Sequence, residues 1–265
     1  MSRRTRRTRR AAPVSALALA AAAALAGCAT TDASEAGSTD AVPTTVTVFA
    51  AASLANVFDS LAERFEATHP DVDIVLSSGG SGALAQQIVA GAPADVFASS
   101  AEAPMDTVVD ARLAASPTVF ATNTLELVVP AGNPAGVAGL DDLGRAELRV
   151  ALCDVSVPCG AATSDLLERE GVTAAPDTLE ADVTSVVTKV MLGEVDAAVV
   201  YRTDVIAAGD AVEGIEVPGA ASVVNRYPIA VMADAASPGS AAEFVAFVTG
   251  ADGRAALDAA GFGAP

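Results

Sequence analysis

The chain has very few of the side chains on which most hydrolases and metalloproteins depend. Its 265 residues include a single histidine, His69, and a single lysine, Lys189. One histidine cannot complete a zinc site together with the cysteines. No Walker A loop, H-E-x-x-H run or dinucleotide-binding fingerprint is present either. These absences argue against zinc chemistry, nucleotide hydrolysis and cofactor-dependent redox chemistry.

One segment nearly matches a serine nucleophile. The run Gly79–Ala83 resembles the G-x-S-x-G elbow, which also lies between a strand and a helix, but its fifth position is alanine. The corresponding triad order needs a histidine after the serine, and none follows Ser81. The only lysine, Lys189, lies inside a helical pattern. A secreted serine hydrolase that uses Ser81 therefore remains an alternative of a different class, and we expect no enzyme activity.

The N-terminus predicts export. Residues 1–10 contain six arginines, and the apolar run at 16–26 is too short to cross a bilayer and stop there. The following Leu-Ala-Gly-Cys resembles a bacterial lipobox, in which the cysteine, here Cys28, is acylated. We expect a signal peptide over 1–27, and a lipidated N-terminus with a flexible linker over 28–43. An ordinary secreted protein with an incidental Cys28 is the alternative, and the export route stays open.

The two other cysteines are Cys153 and Cys159. If Cys28 carries lipid, this pair stands in an oxidising compartment, where a disulfide is favoured over two free thiols.

Few basic residues remain once the predicted signal peptide is removed. Residues 1–27 hold six of the 15 basic residues and none of the 33 acidic ones, so the chain from Cys28 onward has a net charge of −24. Nucleic acid and anionic membrane surfaces both reward positive charge. We therefore expect neither nucleic acid nor the membrane surface as a partner, apart from the lipid anchor. Solubility or adaptation to salt can also explain the acidity.

Short β-branched runs alternate with helical apolar periods from residue 44 onward. Predicted strands are Thr45–Ala50, Val72–Leu76, Asp95–Ala98, Leu125–Val129, Arg149–Leu152, Ala197–Tyr201 and Tyr227–Met232. Helices are predicted around Leu54–Phe65, Leu84–Ile88, Ala161–Arg169, Val183–Leu192, Ser240–Thr249 and Asp252–Ala260. This order indicates an α/β protein with mostly parallel sheets flanked by helices. We expect two lobes, 44–124 plus 227–265 and 125–226, joined by two hinge strands near Thr124–Val129 and Tyr227–Met232.

Two serines follow predicted strands and precede predicted helices. At such a position Ser53 and Ser81 could simply cap their helices. Two such turns at the carboxyl ends of parallel strands are also the geometry in which open α/β sheets bind anions, because helix N-termini offer free donors.

Several runs resemble the molybdate-binding proteins that feed ABC importers. These are Phe49–Leu54, Gly80–Ile88, Gly91–Ser99, Val157–Gly160, Asp182-Val183, Val199–Tyr201 and Gly261-Phe262. The resemblance runs in order from Val46 to Phe262. It implies a class II periplasmic binding protein fold with two lobes that close over a tetrahedral oxyanion. It also implies an extracytoplasmic monomer that works with the importer's membrane permease subunits and needs no cofactor.

The resemblance also implies a set of ligand-binding residues. Ser53 and Ser81 would each give a hydroxyl, Cys159 and Val183 a backbone N–H, and Tyr201 a phenolic hydroxyl. Cys159 stands where the family has alanine, a departure that a backbone donor tolerates. Without the resemblance, Tyr201 reads as a half-buried core tyrosine.

The implied ligand is molybdate, with tungstate as a second ligand, and no metal other than that of the oxyanion. Neutral donors favour a fully deprotonated oxyanion, because hydrogen phosphate needs an acceptor for its proton. Asp182 is the one acid next to a proposed ligand, and we expect it to cap the helix that begins at Val183. A sulfate- or phosphate-binding protein of the same fold is the nearest alternative.

Overall fold

The structure is a computed structural model that describes residues 43–265. The predicted signal peptide, Cys28 and the linker up to residue 42 lie outside the described residues. Within 43–265, no helix is both long and apolar enough to cross a membrane.

Strands and helices alternate along this part of the chain, as the apolar pattern predicts. The strands are β1 (Thr44–Ala51), β2 (Val72–Gly79), β3 (Val96–Ala98), β4 (Thr118–Pro130), β5 (Val150–Cys153), β6 (Thr178–Glu180), β7 (Ala197–Tyr201), β8 (Val212–Ile215) and β9 (Val224–Val231). The α-helices are α1 (Ala55–Glu66), α2 (Ser81–Val89), α3 (Glu102–Asp110), α4 (Pro158–Glu170), α5 (Val183–Met191), α6 (Arg202–Ala208), α7 (Pro238–Thr249) and α8 (Ala251–Ala259). A short 3-10 turn, Ala52–Leu54, joins β1 to α1.

The strands form one continuous sheet in the order β2-β1-β3-β9-β4-β7-β5-β6, with β8 paired to β4. At one end β1 pairs in parallel with β2 and β3, and at the other end β5 pairs in parallel with β6 and β7. The pairings of β9, β4 and β8 are antiparallel. Each half therefore has three parallel strands extended by antiparallel ones, which confirms the predicted α/β fold class.

Hydrophobic packing divides the molecule into two lobes. One hydrophobic cluster contains only residues between Leu125 and Val223. Two others contain only residues at 46–121 and 227–262. This division follows the predicted lobes, 44–124 plus 227–265 and 125–226, although their boundaries remain a prediction.

Strand β4 is longer than the predicted Leu125–Val129 because it takes part in both lobes. Its first half, Thr118–Thr124, pairs with β9. Its second half, Leu125–Pro130, pairs with β7 and β8. Only the second half has a clear apolar pattern in the sequence, since the first half carries three threonines and an asparagine.

Four elements were missed, and each shows a weak apolar pattern. In α6 only Thr203 is buried, and in α3 only Met105 and Val108 are. The short strands β6 and β8 are at most partly buried along most of their length. Elements that bury so few side chains leave no clear period in the sequence.

Helix α6 places a carboxyl group in poorly solvated surroundings. Asp204 Oδ2 accepts a hydrogen bond from the backbone N–H of Tyr201 at 3.0 Å. Desolvation by burial raises the pKa of Asp204 to about 7, although the Tyr201 N–H opposes the shift. The folded protein therefore keeps this carboxyl protonated at pH values where the unfolded chain has lost the proton.

This difference predicts a pH-dependent stability. An unfolded aspartate loses its proton near pH 4, so between about pH 4 and 7 the folded state binds the extra proton. The free energy of unfolding should fall as pH rises through this range, by at most about 1.4 kcal/mol per pH unit. Asp204 also borders a groove, so solvent will keep the slope below this limit.

Urea unfolding of the wild type and of Asp204→Asn at pH 4 to 8 measures the effect. The variant should gain stability relative to the wild type as pH rises to 7. Asp59→Asn, at an exposed position on α1, is the matched control and should run parallel to the wild type. Parallel curves for Asp204→Asn as well would contradict the assignment.

Candidate anion-binding site

A small cavity lies between the two lobes, with about 230 Å³ of empty space including its mouth. One lobe contributes Ala52, Ser53, Gly79, Gly80, Ser81 and Ser100, and the other contributes Val157, Pro158, Cys159, Ala181, Asp182, Val183 and Tyr201. All five predicted ligand-binding residues line this cavity. Two larger grooves flank it, one bordered by α1, α5 and α6 and the other by α2 and α4.

The sheet explains why these residues meet. The cavity residues follow the carboxyl ends of β1, β2 and β3 in one lobe and of β5 and β6 in the other, and Tyr201 is the last residue of β7. Parallel strands place their carboxyl ends at one edge, where α/β proteins bind ligands. The two lobes turn these edges toward each other.

Ser53 does not cap a helix. It lies within the 3-10 turn that leads into α1, and no side chain caps either the turn or the helix. Its Oγ instead hydrogen-bonds the hydroxyl of Tyr227 at 3.0 Å. The simple capping interpretation of Ser53 is therefore wrong.

Ser81 does not cap a helix either, because it is the first residue of α2 and Gly80 is at the N-cap position. The Ser81 Oγ accepts the backbone N–H of Ser100 at 3.0 Å and lies 3.1 Å from the Ser100 Oγ. Its side chain is only 1% exposed. Among the described residues Ser81 Oγ contacts no histidine, lysine or carboxylate that could activate it, so the geometry gives no support to a serine nucleophile.

Cys159 and Val183 lie in the first turns of α4 and α5. The first N–H groups of a helix have no partner within it, so these positions offer backbone donors and the positive end of a helix dipole. Cys159 and Cys153 are joined by a disulfide, with Cα atoms 5.8 Å apart. The next residue, Gly160, cannot be replaced without a clash, because a Cβ there would meet the Asp154 carbonyl oxygen.

Asp182 is the only charged residue among the described residues that line the cavity. It caps α5: its Oδ1 accepts the Ser185 N–H at 2.9 Å and its Oδ2 accepts the Ser185 hydroxyl at 3.1 Å. Both carboxylate oxygens are thus engaged on the helix, as the capping interpretation predicts.

Tyr201 is 1% exposed, more deeply buried than the predicted half-buried core tyrosine. Its hydroxyl makes no hydrogen bond of ordinary length and angle within residues 43–265, although the Ser100 and Tyr227 hydroxyls lie close enough to affect its pKa. Burial raises the pKa of Tyr201 well above its ordinary value, and the nearby Tyr227 and Asp204 add to the rise. The phenol therefore stays protonated, as an unused donor at the wall of the cavity.

Three polar residues next to the site were not predicted. Ser100 bonds Ser81, Tyr227 bonds Ser53, and Asn225 donates its Nδ2 to the Ser100 carbonyl oxygen at 3.0 Å. Ser100 could have been found, because it follows β3 just as Ser53 and Ser81 follow β1 and β2. Asn225 and Tyr227 carry no such signal, since they lie within β9. They come close to the site only because β9 pairs with β3 and β4 in the sheet.

The arrangement suits an anion rather than a cation. The side-chain polar groups that line the cavity are the hydroxyls of Ser53, Ser81, Ser100 and Tyr201 and one carboxylate, which is already bonded. Within residues 43–265 no three histidine, cysteine or acidic residues gather as a metal site would require. The cavity can thus surround a small, fully deprotonated oxyanion with neutral donors.

Known proteins resemble this chain over nearly all of the described residues. The family model for bacterial extracellular solute-binding proteins matches residues 46–263. A molybdate-binding protein from Mycobacterium tuberculosis, ModA, is 44% identical over 234 residues, which cover 88% of this chain and 89% of the relative.

Solved structures share the fold. The periplasmic molybdate-binding protein of Azotobacter vinelandii has a TM-score of 0.74 at 24% identity, covering 83% of this chain and 99% of its own. The sulfate-binding protein SubI of Mycobacterium tuberculosis has a TM-score of 0.67 at 21% identity, covering 83% and 86%. Two different anions on one fold mean that the fold alone does not select the ligand. By the family match and the 44% identity, the chain belongs to the bacterial extracellular solute-binding proteins, with molybdate-binding proteins among its relatives.

Proposed function

We propose that this protein binds molybdate outside the cytoplasm and delivers it to an ABC importer, with tungstate as a second ligand. The observation that carries the proposal is the buried Tyr201 hydroxyl, which has no partner within the described residues and borders a cavity of neutral donors. The relative named as a molybdate-binding protein, at 44% identity, supports the choice of anion.

The proposed ligands are the hydroxyls of Ser53, Ser81 and Tyr201 and the backbone N–H groups of Cys159 and Val183. Donors from both lobes would reach one tetrahedral oxyanion, so binding favours the closed arrangement of the lobes. Each hydrogen bond to a charged partner contributes about 1.5–3 kcal/mol in such a site. The chain from Cys28 onward has a charge of −24, so these local donors, and not long-range attraction, must hold the anion.

The disulfide has a role in this proposal. Cys153 ends β5 and Cys159 offers one of the donors, so the bond between them ties that donor to the sheet. A donor that is already held in place loses less entropy when the ligand arrives.

The remaining features of the proposal concern delivery. Cys28 would carry a lipid anchor after removal of residues 1–27, and the linker would separate the anchor from the two lobes. The partners would be the permease subunits of the importer, which a monomer would meet at the outer face of the cytoplasmic membrane. The protein would require no cofactor and perform no catalysis.

The first test is a binding panel of molybdate, tungstate, sulfate and phosphate, measured by calorimetry on the protein from Cys28 onward. Molybdate and tungstate should bind tightly. Sulfate carries the same charge but is smaller, so some donors will not reach it and it should bind much more weakly. Sulfate binding as tight as that of molybdate would overturn the molybdate assignment.

The second test removes the proposed side-chain donors one at a time. Ser53→Ala, Ser81→Ala and Tyr201→Phe each delete one donor to a charged ligand, so each should weaken molybdate binding about 10- to 150-fold. Ser60→Ala, on the α1 surface outside the small cavity, is the matched control and should bind as the wild type does. Unchanged affinity in both serine variants would reject the proposed site.

The third test concerns the approach of the two lobes at Gly80. A Cβ at this position would lie 2.7 Å from the Ala181 carbonyl oxygen of the other lobe. Gly80→Ala should therefore hold the lobes apart and weaken molybdate binding roughly 5- to 100-fold, the usual scale of an overpacked contact.

Gly82→Ala is the control for Gly80→Ala. The nearest atom of the other lobe to a Cβ at Gly82 is the Ser156 carbonyl oxygen, at an ordinary 4.0 Å. This variant should retain wild-type affinity. Equal affinities for Gly80→Ala and Gly82→Ala would show that binding does not need the close approach seen here.

A further inference from the structure

Behind Ser53 lies a chain of hydrogen bonds whose first donor is determined by the backbone. It begins at Asn123, a residue of β4 that is 3% exposed. The backbone N–H of Thr124 donates to the Asn123 Oδ1 at 3.0 Å. A backbone N–H can only donate, so the oxygen of the Asn123 amide must face Thr124 and its nitrogen must face the other way.

The Asn123 nitrogen donates two hydrogen bonds. One goes to the Thr203 Oγ1 at 2.8 Å and the other to the Tyr227 hydroxyl oxygen at 3.3 Å. Tyr227 is fully buried, and burial raises its pKa, so its hydroxyl keeps the proton. Tyr227 accepts from Asn123, and its hydroxyl also lies 3.0 Å from the Ser53 Oγ, a contact in which either oxygen can donate.

When Tyr227 donates in this contact, Ser53 accepts. Its own hydroxyl proton cannot return along the same contact, and no other hydrogen bond of the Ser53 side chain occurs in the described residues. Since Ser53 lines the cavity, that proton is available to a group inside it. A hydroxyl whose oxygen already accepts one hydrogen bond keeps its proton free for an anion.

Ser81 shows the same feature through a different route. Its Oγ accepts the Ser100 N–H, and Asn225 in turn holds the Ser100 carbonyl oxygen. Asn225 lies directly opposite Asn123 in the pairing of β4 with β9. Each of the two cavity serines is thus hydrogen-bonded from behind, and each hydrogen-bond chain begins at an asparagine of the strands that join the lobes.

We propose that Tyr227 donates to Ser53, and that Asn123 and Tyr227 are positioning residues that hold the Ser53 hydroxyl as a hydrogen-bond donor toward an oxyanion carrying no proton. This inference rests on the proposed function, because it assumes that Ser53 binds the anion. It adds residues outside the cavity and a reason for discrimination against a protonated oxyanion. If Tyr227 cannot donate, the Ser53 hydroxyl can rotate and accept a hydrogen bond from the protonated oxygen of hydrogen phosphate.

A double-mutant cycle between Ser53→Ala and Tyr227→Phe tests the proposal, with Kd measured by calorimetry. The ligand is molybdate, or the tightest-binding oxyanion of the panel. Tyr227→Phe should weaken binding roughly 2- to 10-fold in the wild type, the scale of freeing one ordered side chain. In the Ser53→Ala background the same change should alter Kd less than twofold, because no hydroxyl is left to orient. The molybdate-to-phosphate affinity ratio should fall in Tyr227→Phe.

Phe262→Leu is the matched control for packing, because the Phe262 ring lies 5.4 Å from the Tyr227 ring but takes no part in the hydrogen bonds. It should lower the melting temperature without changing the affinity ratio. If Tyr227→Phe does not fold, Asn123→Ala replaces it in the cycle, with the same loss expected only when Ser53 is present.

The outcomes separate the two proposals. If Tyr227→Phe weakens binding equally with and without the Ser53 hydroxyl, the positioning role is overturned and the proposed function stays intact. An unchanged affinity ratio in a folded Tyr227→Phe would do the same. A wild-type protein that binds none of the four oxyanions would overturn the proposed function, and this inference with it.

Discussion

Hydrogen-bond donors held in a buried cavity without protein partners are the constraint on which this structure depends. A buried polar group left unpaired costs about 1–3 kcal/mol, so native proteins rarely keep one without a reason. The Tyr201 hydroxyl is such a group within the described residues. Tyr201 ends β7 and lines the cavity between the two lobes. An oxyanion between the lobes would supply what is missing and would link lobe closure to binding.

The charge of the protein makes this local arrangement necessary. A strongly acidic chain repels an anion at long range, and no lysine or arginine of the described residues lines the cavity to offset the repulsion. Helix N-termini and neutral hydroxyls are the remaining sources of positive potential. Asp182 would oppose them, but its carboxylate is turned onto the start of α5. The same residue thereby stabilises α5, whose first residue, Val183, lines the cavity.

The strands that join the lobes also support the cavity. Strand β4 pairs with β9 in one lobe and with β7 and β8 in the other, so it belongs to both. Asn123 on β4 and Asn225 on β9 are buried, and each begins a hydrogen-bond chain that ends at a cavity serine. A change at these strands would therefore affect both the packing between the lobes and the orientation of the donors.

Much of this molecule follows from local sequence alone. The alternation of β-branched and helical apolar runs predicted the α/β class and most strands and helices, because periodic burial leaves its mark on consecutive residues. The positions of Ser53, Ser81, Cys159, Val183 and Tyr201 at strand and helix ends could also be read from the sequence, with the family resemblance supplying their roles. Those roles remain proposals.

The tertiary structure decided the hydrogen-bond partners and strand pairings, which local sequence patterns do not encode. Whether Ser53 and Ser81 cap helices or bond Tyr227 and Ser100 depends on contacts between residues 174 and 19 positions apart. The double role of β4, the unpartnered Tyr201 hydroxyl and the supporting asparagines likewise depend on how distant strands pair. Sequence periodicity records which side of an element is buried, but hydrogen-bond direction and the meeting of two lobes arise only when the sheet has formed.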